Sequence, residues 1–278
     1  MARHASPRAG ALRSAVSAPT PLHTGFGALR VATYNIHKGV RGMVGLRKRL
    51  EIHNLGLAVE ALDADLVFLQ EVSLYHAREA RRFARTNFGW PAAGQAQFLA
   101  PMGYEAAYRT NAVTRHGEHG NALLSRWPIG AIGHQDVSDH RFEQRGLLHV
   151  PVAWNGETVH AVVVHFGLGH RGRVRQVQRL ADFLEREIPR GARLVVAGDF
   201  NDWGERLDGP MTELGLVRAA APGRRHPGTA TFPSLAPVFA LDRFYLRGLE
   251  CRSTLVPRGA AWARMSDHLP LVAELAPV

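Results

Sequence analysis

The chain has 278 residues, 46% of them hydrophobic, and a formal charge of +10. That composition can build a substantial core, and no segment approaches the roughly eighteen uninterrupted apolar residues that a membrane-spanning helix needs. A single cysteine, Cys251, excludes an intrachain disulfide and a thiolate metal cluster, which makes a reducing, cytoplasmic setting the expected one, with a peripheral membrane location as its variant.

Residues 1–29 contain three arginines, no acidic residue and no apolar periodicity, and read as a disordered basic tail. Arg13, Ser14 and Ser17 interrupt the apolar core that a secretory signal would need, although the composition also suits a transit peptide. From residue 30 to 278 nothing reads as a linker, so one large domain is expected there. A strand is predicted over 29–36, then a helix over 50–62 with Leu55, Ala58, Val59 and Leu62 on one side. Strands follow over 65–69, 122–126, 146–154 and 158–166, most of them β-branched and continuously apolar. The clearest helix, over 172–188, carries Val174, Val177, Ala181, Leu184 and Ile188 at alternating spacings of three and four. Strands over 193–197, 241–246 and 269–275 complete the pattern. Continuously apolar strands belong to sheets covered by another layer, which places helices outside stacked sheets in an α/β protein. Two similar passages of strand, helix and strand, 31–71 and 159–199, both end in acidic loops and hint at two halves.

The positive charge suits a polyanionic partner, either nucleic acid or an anionic lipid surface. Only Lys38 and Lys48 among the 34 basic residues are lysine, so an arginine-rich composition accounts for the charge equally well.

Four predicted strands abut clusters of acid, amide and histidine: Asn35-Ile36-His37-Lys38-Gly39, Gln70-Glu71-Val72, Gly198-Asp199-Phe200-Asn201-Asp202 and Ser266-Asp267-His268. Carboxylate and amide oxygens are the hard ligands that Mg²⁺ or Mn²⁺ prefers. Zinc fits less well, since no paired histidine spacing occurs on a helix. Any one cluster alone reads equally as a turn or helix cap.

Together, in this order, these motifs resemble the endonuclease/exonuclease/phosphatase superfamily, whose members include deoxyribonucleases, abasic-site endonucleases, sphingomyelinases and inositol polyphosphate 5-phosphatases. Small bacterial members share the Asn-Ile-His-Lys-Gly, His-Gly-Asn-Ala, Gly-Asp-Phe-Asn-Asp-Trp and Leu-Asp-Arg words found here at 35–39, 119–122, 198–203 and 241–243. The resemblance implies a four-layer α/β/β/α sandwich of two mostly antiparallel mixed sheets flanked by helices. It further implies a phosphoesterase using Mg²⁺ or Mn²⁺, with Glu71 as principal metal ligand and Asn35 and Asp267 supporting it. Asp199 and Asn201 correspond to the pair that orients the attacking water and holds the phosphate, and His268 to the essential histidine that Asp242 orients. His165 stands where relatives carry a leaving-group or phosphate contact, and Asn121 where the small bacterial members carry a phosphate-side amide. Arg171, Arg173 and Arg175 crowd a helix start, where an anion would offset their opposition to the helix dipole, so Arg175 is a candidate substrate contact. Solvated surface arginines are the alternative.

His37 stands where abasic-site endonucleases have an acidic residue, and Thr231-Phe232-Pro233 replaces their paired tryptophans. A nuclease-like phosphodiesterase acting on DNA or RNA is therefore expected without being a standard abasic-site endonuclease. A lipid-headgroup or small-molecule phosphodiesterase, a phosphomonoesterase, and a non-catalytic nucleic-acid or membrane-binding module are the alternatives. An intact set of Asn35, Glu71, Asp199, Asn201, Asp242, Asp267 and His268 argues against the last.

Overall fold

In the central strands, neighbouring apolar residues serve two different cores. Along β9 (Glu157–His165), Ala161 and Val163 pack between the sheets while Val162 and Val164 pack under a helix. Val195 and Ala197 alternate in the same way with Leu194 and Val196 along β10 (Arg193–Asp199). Side chains on a strand point to alternate faces, so a continuous apolar run is the sequence of a strand covered on both sides.

The structure is a computed structural model that describes residues 27–42, 48–86, 88–140, 142–220 and 229–278. Residues 1–26 of the expected basic tail lie outside the described residues. One six-stranded sheet runs in the order β13 (Leu249–Leu255), β14 (Leu271–Pro277), β1 (Leu29–Asn35), β4 (Leu66–His76), β6 (Gly117–Ser125), β5 (Glu105–Thr114). The second runs β11 (Val217–Arg218), β12 (Asp242–Arg247), β10, β9, β8 (Gly146–Trp154), β7 (Gly133–Asp136). A short ribbon pairs β2 (Val40–Arg41) with β3 (Arg49–Leu50). Each large sheet has one parallel pair at its centre, β1 with β4 and β9 with β10, and is antiparallel elsewhere.

Helix α1 (Ile52–Leu62) makes the crossover from β1 to β4, and α4 (His170–Glu187) that from β9 to β10. The two strand-helix-strand passages seen in the sequence are thus the parallel centres of the two sheets. Leu55, Ala58, Val59 and Leu62 of α1 are buried, as predicted. With α2 (Ala77–Phe83) and α3 (Gln95–Leu99) following β4, and α5 (Asp208–Glu213) following β10, helices flank the sheets and the layered α/β/β/α expectation holds. Among the described residues no helix is long and apolar enough to cross a membrane.

Two local readings change. The buried face of α4 comprises Gly172, Arg173, Gln176, Val177, Leu180, Phe183 and Leu184, so it is rotated away from Val174 and Ala181. Two polar side chains cause the shift: Gln176 Oε1 accepts from Gly167 N at 2.8 Å, and Arg173 donates to the carbonyls of Gly167 and Leu168. The strand predicted over 65–69 also runs on to His76 through a bulge, because Leu69 pairs with Ala122 and Val72 with Gly120.

Candidate active site

Parallel strands end together, and the carboxyl ends of both parallel pairs lie at one edge of the sandwich. In the second sheet the register sets Asp199 directly beside His165 on one side and beside Asp242 on the other. Gly198 makes this possible. Its φ is +150°, and a Cβ there would collide with the Val164 carbonyl oxygen, so only glycine lets β10 lie this close to β9. After Asp199 the chain turns sharply: Asn201 takes a left-handed φ of 48°, which Asn tolerates, and its N–H donates to Asp199 Oδ1 at 2.9 Å. The Asn201 side chain donates to the Phe166 carbonyl at 2.9 Å, which fixes the loop after His165.

Asp199 Oδ2 is the meeting point of the two sheets. It accepts from Asn35 Nδ2 at 3.1 Å, and the Nε2 atoms of His165 and His268 each lie 3.6 Å away. His268 Nδ1 contacts Asp242 Oδ2 at 2.8 Å, and the same oxygen accepts from Thr231 Oγ1 at 2.6 Å. All of these groups are buried. Burial opposes a charge on His268, but Asp242 and Asp199 outweigh it and push its pKa up to about 10. His165 is the opposite case, since burial and the nearby Arg145 charge bring it down to about 4 and keep the ring neutral. The two imidazoles flanking Asp199 therefore differ in charge.

The first-sheet side is more open. Glu71 occupies the β4 bulge with φ 55°, and bulges near functional sites re-aim side chains. Its Oε2 accepts from Lys38 Nζ at 2.5 Å and lies 3.9 Å from His37 Nδ1, which is 3.3 Å from Asp267 Oδ2. Ser266 Oγ donates to the Asn35 carbonyl at 2.7 Å and holds the loop before β14 against β1. Burial alone would raise the Glu71 pKa, but the adjacent Lys38 charge and the nearby His37 keep it below the ordinary carboxylate range.

Glu71 and Asp267 thus converge with basic groups seated between them, an arrangement suited to a hard cation. Among the described residues no three His, Cys, Asp or Glu side chains close into a metal cage. The donor set fits the open manner in which Mg²⁺ binds, through one or two carboxylates with water and phosphate filling the rest. Asn35 uses its amide differently: Oδ1 accepts from His37 N at 3.1 Å and Nδ2 serves Asp199, so it joins the two sides of the site.

Two predicted substrate contacts are engaged by other protein groups. Asn121 is fully buried in β6 and donates from Nδ2 to the carbonyls of Gly146 and Val163, an inter-sheet tie and not a turn. Arg175 pairs with Asp139 through two contacts of 2.5 and 2.6 Å on the exposed face of α4.

Several working residues went unassigned in the sequence. Arg243, 1% exposed, donates to the Asp202 carboxylate at 2.9 Å and to its carbonyl at 2.7 Å, and Arg173 approaches the other Asp202 oxygen at 3.7 Å. This buried unit clamps the loop of Asp199 and Asn201 to the strand of Asp242 and the loop of His165. Its signal was the second Asp of Gly-Asp-Phe-Asn-Asp and the Arg of Leu-Asp-Arg. Phe232 packs its ring 4.8 Å from that of His268 and 5.4 Å from that of Trp203, forming an aromatic wall. On the other flank a cavity of about 690 Å³ is lined by His119, His140, Glu143, Arg145 and Leu168. Arg145 Nε donates to the Phe166 carbonyl, the oxygen that also holds Asn201.

The wider similarities agree with this fold. The Escherichia coli K12 protein described as "Uncharacterized protein YbhP" is 36% identical over 252 residues, covering 89% of this chain and 96% of that protein, and the same figures hold for its Shigella flexneri counterpart. Among solved structures, an endonuclease/exonuclease/phosphatase from Beutenbergia cavernae superposes with a TM-score of 0.69 at 18% identity, over 90% of this chain and 72% of that one. The human Nocturnin catalytic domain with bound sulfate superposes with a TM-score of 0.61 at 20% identity, over 90% and 95%. D. rerio TDP2 complexed with a single-strand DNA product gives 0.60 at 15% identity, over 89% and 98%. A sequence profile of the Endonuclease/Exonuclease/phosphatase family matches residues 32–268, and the chain therefore belongs to that family.

Proposed function

We propose that the domain from residue 30 to 278 is a Mg²⁺- or Mn²⁺-dependent phosphodiesterase that hydrolyses P–O bonds by in-line attack of water. The observation that carries this reading is the buried Asp242–His268–Asp199 chain, joined through Asn35 and the His37 loop to the Glu71 and Asp267 carboxylates. Family membership supports hydrolysis of a phosphoester.

Glu71 and Asp267 would hold the cation, and Asn35 keeps the His37 loop in place beside them. A divalent cation there supplies neutralisation of a phosphoryl oxygen and of charge on the leaving oxygen. Asp199 takes the proton of the attacking water, and the charged His268 ring 3.6 Å away holds that carboxylate in place and faces the phosphate. Asp242, braced by Thr231, fixes the orientation of the His268 ring. His165, neutral and beside Asp199, meets the phosphate or the leaving oxygen, while Asn201 positions the loop against which the phosphate lies. The cavity beside Arg145 receives one arm of the diester.

Nucleic acid is the favoured substrate class. The +10 charge supports a polyanion, and a similar fold binds a single-strand DNA product in TDP2. The lone Cys251 supports a cytoplasmic setting.

The test is hydrolysis of bis(p-nitrophenyl) phosphate with and without Mg²⁺ or Mn²⁺, in wild type, Glu71→Gln and His268→Ala. Metal-dependent turnover that collapses in both variants is expected, and undiminished turnover in both refutes the assigned site. A parallel screen of plasmid, single-stranded and abasic DNA, RNA, phospholipid vesicles and phosphomonoesters separates the substrate classes. A nucleic-acid substrate predicts affinity that falls with salt.

A further inference from the structure

Lys38 has no part in the chemistry described so far, yet the fold aims it with unusual care. Its Nζ contacts Glu71 Oε2 at 2.5 Å from a side chain that is 35% exposed. Both partners sit on left-handed backbone, with φ 58° at Lys38 and 55° at Glu71, and His37 beside them has φ 45°. Each such non-glycine residue is costly and persists only where its surroundings enforce it. Here the enforcing group is Gln95, 1% exposed: its Oε1 accepts from Ser73 N and its Nε2 donates to the Lys38 carbonyl, both at 2.8 Å. One buried amide thereby ties the Lys38 turn to the bulged strand that carries Glu71. The turn is further closed by Glu51 N donating to the Gly39 carbonyl at 2.9 Å.

We propose that Lys38 is the internal counter-cation of Glu71, displaced when a divalent cation binds and then delivered to a non-bridging oxygen of the substrate phosphate. This rests on the reading of Glu71 as a metal ligand. An ammonium is a donor with no lone pair for a metal, and beside a dication it is repelled. Asp267, the neighbouring carboxylate, is already engaged by His37 at 3.3 Å. The four-carbon stem lets the ammonium swing while the backbone stays pinned by Gln95. A phosphate arriving at the cation brings the negative charge that the displaced ammonium lacks. Lys38 is thus a substrate-binding residue whose availability is set by the metal.

The experiment compares wild type, Lys38→Met, Lys38→Arg and Glu71→Gln in the full chain by two readouts. The first is Mn²⁺ binding without substrate, measured by electron paramagnetic resonance of the free ion. Loss of a competing cation in Lys38→Met raises Mn²⁺ affinity on the order of tenfold, while Lys38→Arg stays near wild type and Glu71→Gln binds more weakly. The second is steady-state hydrolysis of bis(p-nitrophenyl) phosphate at saturating Mn²⁺, where Lys38→Met raises KM several-fold and Lys38→Arg largely restores it. Equal or weaker Mn²⁺ binding in Lys38→Met, with Glu71→Gln still weakened, means that ammonium and metal share the carboxylate and overturns the exchange. An unchanged KM in Lys38→Met overturns delivery to the phosphate. Unchanged Mn²⁺ binding in Glu71→Gln overturns the metal-ligand reading and this inference with it.

Discussion

The two walls of the site differ in how completely they are built. The second-sheet wall is closed: the side chains of Asp199, Asp242 and His268 are 2%, 0% and 6% exposed and hold one another within 3.6 Å. The first-sheet wall is open, with Asp267, His37 and Lys38 at 44%, 39% and 35%, and its carboxylates are covered by basic side chains and not by backbone amides. Under the proposed function, the contrast follows from what each wall would do. A group that orients a water and accepts its proton gains from being fixed before substrate arrives. A wall that exchanges cations must let them in, and ion pairs near solvent are weak enough to break.

Separate effects on binding and turnover would establish this division. The largest expected effect is from Asp242→Asn, which removes the charge that orients His268 and lowers kcat by about 10²- to 10⁴-fold while leaving Mn²⁺ affinity near wild type. Equal loss of Mn²⁺ binding in that variant would merge the two walls into one unit. Next is the clamp behind the closed wall. Arg243→Met leaves the fully buried Asp202 carboxylate with the more distant Arg173, 3.7 Å away, as its ion-pair partner, and removing one partner of a buried ion pair costs up to about 3–5 kcal/mol, to be read as a fall in the urea midpoint. A loss below about 1 kcal/mol would mean that the loop relaxes to solvate Asp202.

A pH control comes from outside the site. His149 stacks on His160 with ring centroids 5.1 Å apart, and burial together with the His160 charge lowers its pKa to about 4. Protons therefore bind the unfolded chain, where His titrates near 6.5, in preference to the folded one. This contribution to stability is complete above about pH 6.5 and is lost as pH falls toward about 4. His149→Phe should flatten that part of the stability–pH curve, and an identical slope in both proteins would count against the assignment. The smallest effect is expected for Arg175→Ala, whose exposed pair with Asp139 is screened by solvent. KM should not change, and a rise would bring Arg175 back into the substrate path.

Much of this was legible in the sequence because the central strands are written in apolar residues. Every long predicted strand lies in the interior of a sheet, whereas the four edge strands β5, β7, β11 and β13 were not predicted. Edge strands such as Glu105–Thr114 have one flank in water and carry polar residues among the apolar ones, so periodicity does not mark them. The face of α4 was misjudged for a related reason. Arg173 and Gln176 are buried because they satisfy backbone groups of the Gly167 loop, and a pattern of apolar residues cannot register that.

The sequence by itself determined the family and the layered architecture, and it named the acid, amide and histidine residues that the fold brings together. Short motifs at strand ends and unbroken apolar runs are local properties that survive without coordinates. Tertiary structure alone decided how the cluster is wired. It made Asn35 a bridge to Asp199, turned Asn121 into an inter-sheet tie, left Arg175 on the surface, and set Lys38 against Glu71. The places of Asn35, Asn121 and Lys38 depend on strand register, on a one-residue bulge at Glu71 or on left-handed turns at residues 37 and 38, and that of Arg175 on which face of α4 is buried, none of which changes the motif that contains the residue.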